Sequence, residues 1–231
     1  MKRTIFILSF LFTISIFCNA QKPKFNEMIN LKRYEKANVE LPVVGKKDKR
    51  VVFIGNSITE GWVRNSPEFF TSNNYVGRGI GGQTSPQLLS RFRQDVIKLN
   101  PVAVVINVGT NDIAENTGPY NWEFTFDNIK SMADLARANG IKVILSSVLP
   151  VYEYPWSKEI IDVTGKISSL NAMIEAYAKE KKYAYIDYYS HMCDERNGLK
   201  SNYGDDGVHP NAEGYKVMEA VAKPIIDKII K

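Results

Sequence analysis

From residue 51 onward, short apolar runs alternate with longer segments in which apolar residues recur at helical spacing. Runs that are apolar at every position are typical of strands buried on both faces, and parallel strands need crossover connections, which are usually helices. The alternation therefore predicts an α/β fold, a three-layer αβα sandwich around a five-stranded parallel sheet. The predicted strands are residues 51–54, 74–78, 102–108, 141–148 and 183–187.

Four helical patterns lie between and after these strands. One follows Pro86, a residue suited to the first turn of a helix, with Ser85 as its candidate cap. Another ends at Gly140, because glycine commonly terminates helices. The remaining two stripes lie in residues 167–178 and 215–222. In each pattern the apolar residues share one face, which we interpret as packing into the core.

The first twenty residues have the pattern of a secretory signal peptide. Two basic residues precede an apolar run over 5–17, and the small residues Cys18 and Ala20 stand where a signal peptidase reads the chain, ahead of Gln21. The run is too short to span a bilayer comfortably. We therefore predict cleavage near Ala20-Gln21, export to the periplasm or the exterior, and no stable membrane insertion afterwards. The alternatives are a membrane anchor, a buried first strand, or a lipoprotein acylated on Cys18.

Residues 21–50 are polar and lysine-rich, with a short predicted helix around 31–39. We interpret them as an N-terminal arm that precedes one domain over 51–231. The basic run at 46–50 is predicted to be a solvated approach to the first strand, because no aromatic residues interleave it. The net charge is modest, at +5 for the whole chain and +3 once residues 1–20 are removed. We expect no nucleic-acid partner, and the oligomeric state is left open.

Cysteine and histidine are scarce, with two of each. Two cysteines cannot form a disulfide framework, and a conventional zinc site would be hard to build, so we predict no metal and no cofactor. After signal cleavage only Cys193 remains, and we interpret it as a buried apolar residue rather than a reactive thiol. The alternative metal cluster, from His191, Cys193, Asp194 and His209, has no recognisable ligand spacing.

The segment Gly55-Asn56-Ser57 follows the first predicted strand. In parallel sheets, ligands bind beyond the carboxyl ends of the strands. A serine at a strand-to-helix turn exposes its hydroxyl near a helix N-terminus, where developing negative charge is favoured, so Ser57 is a candidate nucleophile. Taken alone, the segment fits equally well a serine that only caps the following helix.

The segment Gly79-Ile80-Gly81-Gly82 follows the second predicted strand. Together with Gly77 it satisfies the G-x-G-x-x-G dinucleotide fingerprint. However, it follows the second strand rather than the first, and no acidic residue ends a strand about 20 residues later, where a ribose would need it. We interpret it instead as a glycine turn whose backbone N–H faces the site.

Two further polar segments stand at positions suited to catalysis. After the third strand, the Asn111 amide can donate a hydrogen bond to an oxyanion, or Asn111 and Asp112 can satisfy their own turn. Near the C-terminus, Asp206 precedes His209 by three residues. That spacing lets the carboxylate bind Nδ1–H and leaves Nε2 free to accept a proton. The alternative is a surface loop in which Pro210 opens the last helix.

These four blocks, in this order, resemble those of the SGNH hydrolases, also called the GDSL esterase/lipase superfamily, over residues 51–231. The resemblance implies a flavodoxin-like sheet of order 2-1-3-4-5 and esterase activity without a cofactor. It also implies an oxyanion hole made by the Ser57 N–H, the Gly82 N–H and the Asn111 amide. Asn56 stands where the family has aspartate, and we expect this to change supporting hydrogen bonds rather than to abolish catalysis.

We predict a serine esterase in which Ser57 attacks the ester, His209 moves the proton and Asp206 orients His209. No long apolar lid follows the third strand, and aromatic residues at strand ends suit stacking on sugar rings, although at least half of them could instead pack the rim. Together with export and the family's glycan deacetylases, this favours acetyl esters of carbohydrates. The alternatives are a lysophospholipase, a thioesterase or a platelet-activating-factor-acetylhydrolase-like enzyme, and, in another class, a non-catalytic carbohydrate-binding module. The candidate substrate contacts are Trp62, Arg78, Tyr120, Tyr154 and Trp156.

Overall fold

The computed structural model describes residues 25–45 and 48–231. Its centre is one sheet of five parallel strands in the order β2-β1-β3-β4-β5. The strands are β1 (Val51–Gly55), β2 (Tyr75–Gly79), β3 (Ala103–Ile106), β4 (Lys142–Ser146) and β5 (Ala184–Ile186). Each overlaps its predicted run, so the α/β class, the five strands and the sheet order are all confirmed.

Ten α-helices occupy the described part of the chain. The arm carries α1 (Phe25–Ile29) and α2 (Glu35–Val39). The crossovers carry α3 (Ser57–Asn65), α4 (Pro67–Thr71), α5 (Ser85–Asp95), α6 (Thr110–Ile113), α7 (Trp122–Ala138) and α8 (Val163–Lys181), and α9 (Tyr188–Met192) follows β5. The last helix is α10 (Ala212–Ile230). No helix within residues 25–45 and 48–231 is both long and apolar enough to cross a membrane.

Helices cover both faces of the sheet. Successive β1 side chains point to opposite faces, so that Val52 joins one apolar cluster and Phe53 the other. The first cluster contains the apolar faces of α5, α7 and α8, represented by Phe92 and Leu170. The second contains those of α3, α4, α9 and α10. This burial on both faces explains why the strands read as continuous apolar runs.

The strand register places two functional segments side by side. In the β1–β2 pair, Gly55 lies opposite Gly79, and both strands end there. The chain then leaves β1 towards Ser57 and leaves β2 into the glycine turn. Because parallel strands end at the same edge of a sheet, the two segments leave the sheet at one level.

Two local expectations are corrected. The N-cap of α5 is Thr84 and not Ser85, which is the first residue of the helix. Gln87 Oε1 accepts a hydrogen bond from the Thr84 N–H at 2.9 Å, as in a capping box. The basic run before β1 is not solvated throughout, since Arg50 is buried and donates to Leu99 O and Pro42 O at 2.8 and 2.6 Å. The predicted signal peptide at 1–20 lies outside the described residues.

Candidate active site

Ser57 is the first residue of α3, and its hydroxyl does not cap the helix. Asn56 supplies the cap, accepting a hydrogen bond from the Ile58 N–H at 3.0 Å. Ser57 Oγ lies 2.9 Å from Nε2 of His209, so the capping interpretation of Ser57 is wrong. The Asn56 Nδ2, by contrast, is buried and has no hydrogen-bond partner among the described residues. Asparagine therefore keeps the cap oxygen and leaves one polar atom unsatisfied.

His209 is held by a short loop before α10. Its Nδ1 lies 2.6 Å from Oδ2 of Asp206, and its backbone N–H donates to Asp206 Oδ1 at 2.7 Å. The Val208 N–H donates to the same oxygen at 2.9 Å, and Gly207 turns the chain with a φ of +76°. Because a carboxylate only accepts, Nδ1 carries the hydrogen of this bond, and in a neutral imidazole Nε2 then faces Ser57 as an acceptor.

The Asp206 carboxyl is held in its ionised form. Burial alone would raise its pKa, but hydrogen bonds from the backbone N–H and imidazole of His209 and from the Val208 N–H outweigh burial. The pKa of Asp206 therefore lies below its ordinary value. An ionised Asp206 accepts the Nδ1–H and so fixes the tautomer and orientation of His209.

The glycine turn lies directly against Ser57. The Ile80 N–H donates to Gly55 O at 3.2 Å and the Gln83 N–H to Ile80 O at 3.3 Å, with Gly82 at a φ of +74°. That φ is the one a type II turn requires at its third residue, which explains the glycine. A Cβ on Gly81 would lie 3.8 Å from the Cβ of Ser57. The Gly82 N–H makes no hydrogen bond to any described residue.

The glycine spacing that resembled a dinucleotide motif serves backbone packing. A Cβ on Gly79 would overlap the backbone of Asn56 and Glu60, so β2 and α3 could not approach each other as they do. A Cβ on Gly77 would overlap the Val63 side chain. Close approach of β2 to α3 therefore accounts for two of the glycines, and the turn at Gly82 accounts for the third.

Asn111 and Asp112 hold neighbouring segments rather than their own turn. One N–H of the buried Asn111 amide donates to Gln83 O at 2.9 Å, which ties α6 to the glycine turn. Asp112 Oδ1 accepts from the Ser85 hydroxyl at 2.6 Å and from Thr125 at 3.3 Å, and its carboxylate also receives the Ser85 N–H at 3.0 Å. Burial raises the pKa of Asp112 above its ordinary value, although these hydrogen bonds act to lower it.

Three of the five predicted substrate contacts are wrong. Trp62 is 2% exposed and packs inside the aromatic core of the second cluster. Tyr154 is fully buried, and its hydroxyl donates to Thr110 O at 2.8 Å. Arg78 is buried, donates to Asn38 at 2.7 Å and lies over the ring of Tyr34 in the arm. A position after a strand does not determine which way a side chain points.

The other two predicted contacts remain accessible. Trp156 is 47% exposed, and its ring centroid lies 6.0 Å from that of His209. The ring centroid of the buried Tyr154 lies 5.5 Å from that of Trp156, so the two rings pack against each other. Tyr120 is partly exposed and lines a cavity of about 100 Å³ beside Asp112, and burial raises its pKa to about 12.

The alternative metal cluster is not assembled. His209 bonds Asp206 and Ser57, whereas Nδ1 of His191 lies 2.8 Å from Asp187 O. Within residues 25–45 and 48–231, no three or more Asp, Glu, His or Cys side chains are grouped so that they could hold a metal ion. Cys193 is half-buried rather than fully buried as predicted.

Sequence reasoning missed the residues that hold the glycine turn. Arg91 is fully buried and donates to Gly55 O, Gln83 Oε1 and Asp95 Oδ2 at 2.9, 2.6 and 3.0 Å. Arg33 of the arm reaches the same turn through Glu60 of α3. Only the i, i+4 spacing of Arg91 and Asp95 could have signalled this network, and that spacing is also common on exposed helix faces.

The comparisons with known proteins point to a single family. The model of the GDSL-like Lipase/Acylhydrolase family matches residues 53–217. A crystal structure of a GDSL-like lipase from Bacteroides thetaiotaomicron is 59% identical with a TM-score of 0.86, over 87% of this chain and 99% of that one. Esterase TesA of Pseudomonas aeruginosa is 28% identical over 74% of this chain and 79% of its own length. An acetylxylan esterase of Xylanibacter ruminicola is 25% identical over 74% of this chain and 42% of its own length.

The family match covers well over half of the chain and includes Ser57 and His209. The sheet order agrees with the fold that the four sequence blocks implied. The chain therefore belongs to the GDSL-like lipase/acylhydrolase family and is a carboxylic ester hydrolase.

Proposed function

We propose that this esterase uses Ser57, His209 and Asp206 as a catalytic triad. The observation that carries the proposal is the continuous chain of two short contacts, 2.9 Å from Ser57 Oγ to His209 Nε2 and 2.6 Å from His209 Nδ1 to Asp206 Oδ2. Both distances lie within hydrogen-bonding range, so a proton can pass from the hydroxyl to the imidazole without rearrangement.

In the first half-reaction, Ser57 Oγ attacks the ester carbonyl carbon while His209 Nε2 takes the hydroxyl proton. Asp206 stabilises the resulting imidazolium. The tetrahedral intermediate then collapses, the bond to the alcohol oxygen breaks, and His209 returns the proton to the leaving alcohol. In the second half-reaction, water attacks the acyl-serine with the same histidine as base, which releases the carboxylic acid and restores Ser57.

Three neutral donors stabilise the oxyanion in this proposal. The Ser57 N–H lies in the first turn of α3, where backbone N–H groups lack intrahelical partners. The Gly82 N–H has no partner among the described residues, and the Asn111 amide has a second N–H beyond the one bound to Gln83 O. Donors fixed before the reaction stabilise developing charge without a reorganisation cost.

We further propose that the substrate is a small acyl ester, an acetyl ester in particular, carried by a carbohydrate. The exposed face of Trp156 beside His209 supports this, since aromatic faces suit sugar rings. Similarity to an acetylxylan esterase also supports it. The competing candidates are a lysophospholipase, a thioesterase and a platelet-activating-factor-acetylhydrolase-like enzyme. A carbohydrate-binding module without catalysis is the candidate from another class.

Two assays test these proposals. An organophosphonate should label wild type on Ser57, and Ser57→Ala should turn over p-nitrophenyl acetate at least about 10⁴-fold more slowly. Wild-type-like turnover by Ser57→Ala would exclude the triad.

A panel of p-nitrophenyl esters of increasing acyl length, run beside acetylated polysaccharides, tests the substrate. Preference for long acyl chains would favour the lipase-like candidates, and glycan binding without labelling would favour the binding module.

The exposed face of Trp156, proposed as an aromatic platform for the sugar ring, has its own test. Trp156→Ala should raise KM for an acetylated oligosaccharide several-fold, because an aromatic contact is worth about 1 kcal/mol. It should leave kcat for p-nitrophenyl acetate unchanged, since Trp156 takes no part in the proton transfers. Trp122, also half-exposed but at the start of α7, provides the matched control, and Trp122→Ala should change neither value. Equal KM for the oligosaccharide in both variants would contradict the platform.

Export belongs to the same proposal. The cleaved signal peptide, the arm and one catalytic domain over 51–231 make up the proposed organisation. N-terminal sequencing of the protein secreted from a bacterial host should begin at Gln21. A mature protein that begins at Cys18 and carries lipid would establish the lipoprotein alternative instead.

A further inference from the structure

We propose that Arg33 and Glu60 are positioning residues through which the N-terminal arm fixes the glycine turn for catalysis. The inference rests on the proposed function, because it concerns the Gly82 N–H as an oxyanion donor. It also gives the arm a part in catalysis, although the polar, lysine-rich sequence of the arm carries no recognisable catalytic motif.

Glu60 joins three segments at one carboxylate. It lies on α3, three residues after Ser57, and its Oε2 accepts the Gly81 N–H at 2.8 Å. Its Oε1 accepts a hydrogen bond from Arg33 Nη2 at 2.7 Å. The helix that carries the nucleophile, the glycine turn and the arm are therefore linked through a single side chain.

The arm reaches the same turn by two further contacts. The Tyr34 hydroxyl donates to Gly79 O at the start of the turn. At its other end, Gln83 Nε2 donates to Ile29 O at 2.7 Å. The arm therefore contacts the turn on both sides of Gly81 and Gly82, and Arg33 approaches the middle through Glu60.

The middle of the turn needs an external support. Gly81 and Gly82 have no side chains with which to anchor themselves, and glycine has the widest conformational freedom of any residue. Arg91 supports Gly55 and Gln83 but not the residues between Ile80 and Gln83. The Gly81 N–H has Glu60 as its partner, and Gly82 O accepts from Asn116 at 3.1 Å. These two bonds hold the peptide units on either side of the one that carries the Gly82 N–H, and so restrict its direction.

A donor contributes most to catalysis when its direction is fixed beforehand. Removing the Glu60 carboxylate leaves the donor present but free to point elsewhere. Transition-state stabilisation should then fall while binding of the neutral ground-state ester is little affected. A residue that served only stability would not produce this division between kcat and KM.

The test measures kcat and KM for p-nitrophenyl acetate in Glu60→Ala, Glu60→Gln and Arg33→Met. We expect Glu60→Ala to lower kcat by about 10- to 100-fold, with KM changed less than about twofold. Glu60→Gln should recover most of the loss, because its amide oxygen still accepts the Gly81 N–H. Arg33→Met should lower kcat by about threefold or more, since the carboxylate loses its partner. The rate of Ser57 phosphonylation should fall in parallel with kcat.

Lys36→Ala is the matched control. Lys36 also lies in the arm and forms an exposed ion pair, with Glu40 at 3.6 Å, that does not touch the turn. It should keep wild-type kcat. Arg33→Met keeps the test decisive if Glu60→Ala does not fold, because Arg33 is partly exposed and its loss should leave the circular dichroism spectrum unchanged.

Two results would overturn the inference. One is a kcat within twofold of wild type in folded Glu60→Ala and Arg33→Met. The other is an equal loss of kcat in Lys36→Ala. Ser57→Ala distinguishes the two levels of the proposal: an active Ser57→Ala refutes the triad itself. An inactive Ser57→Ala, beside fully active Glu60 and Arg33 variants, refutes only the positioning role.

Discussion

The His209 loop and the glycine turn are built in opposite ways. In the loop, every hydrogen bond that holds the imidazole to Asp206 comes from within four consecutive residues. The turn is held by Arg91, Asn111, Glu60 and the arm, which come from widely separated parts of the sequence. A short motif can therefore specify the whole of the proposed acid–base pair, whereas the proposed oxyanion donor depends on much of the fold.

The largest effect should come from the self-contained loop. His209→Ala should lower kcat by at least about 10⁴-fold, because Ser57 loses its only proposed base. The free energy of unfolding should change little, since the His209 side chain is partly exposed. His191 is the matched control, as an exposed histidine on α9, and His191→Ala should retain wild-type kcat. Substantial activity in His209→Ala would remove the contrast between the two regions.

Asn111 belongs to both functions of the turn, as a proposed oxyanion donor and as a tie to Gln83. Asn111→Ala should therefore lower kcat for p-nitrophenyl acetate by about 100- to 1,000-fold. Asn139→Ala, at the exposed end of α7, is the matched control and should leave kcat unchanged. A loss below tenfold would show that the Asn111 amide does not act on the transition state.

Arg91 is the most deeply buried of the distant supports of the turn, and its substitution tests how much its ion pair with Asp95 contributes to stability. Arg91→Met removes one partner of a buried ion pair and leaves Asp95 charged inside the protein, so it should destabilise the fold by about 3–5 kcal/mol in urea unfolding. The double variant Arg91→Met, Asp95→Leu should be less destabilised than Arg91→Met alone, because no buried charge remains unpaired. Equal or greater destabilisation of the double variant would contradict this assignment.

The smallest effect concerns the pH dependence of the loop. The folded state lowers the pKa of Asp206, so its ionised form contributes stability above the unfolded pKa of about 3.9. That contribution is lost as pH falls through the lower folded value. The stability difference between wild type and Asp206→Asn should therefore be constant near neutral pH and shrink below about pH 4 in urea unfolding. A pH-independent difference would show that Asp206 ionisation is not linked to folding.

The same contrast explains what could be predicted from the sequence. Strands buried on both faces are apolar at every position, so β1 and β3 were visible without a structure. Ser57 and the pair Asp206–His209 were visible because strand ends and a three-residue spacing are local features. The four blocks also implied the sheet order, which the structure confirms.

The remaining features depend on directions and distances that no local pattern encodes. Trp62 follows a strand end but lies on the face of α3 that packs into the aromatic core. Arg78 could not be distinguished from a substrate contact, because its partner Asn38 lies 40 residues earlier in the arm. Arg33 and Glu60 are 27 residues apart, and their pairing depends on where the arm docks.

The way the arm is attached also has a consequence for the order of folding. The sheet and both apolar clusters are built from residues that follow the arm, apart from Leu41, which packs at the edge of one cluster. Tyr34 donates to Gly79 O and Ile29 O accepts from Gln83, and we expect both bonds to form after β1 and β2 have paired, because that pairing places the turn. The arm, although it precedes the domain in the chain, should therefore dock last and detach first on heating. If a protease cuts the chain between α2 and β1, the remaining domain should stay folded while its glycine turn loses the contacts of the arm, so that esterase activity falls before the structure unfolds.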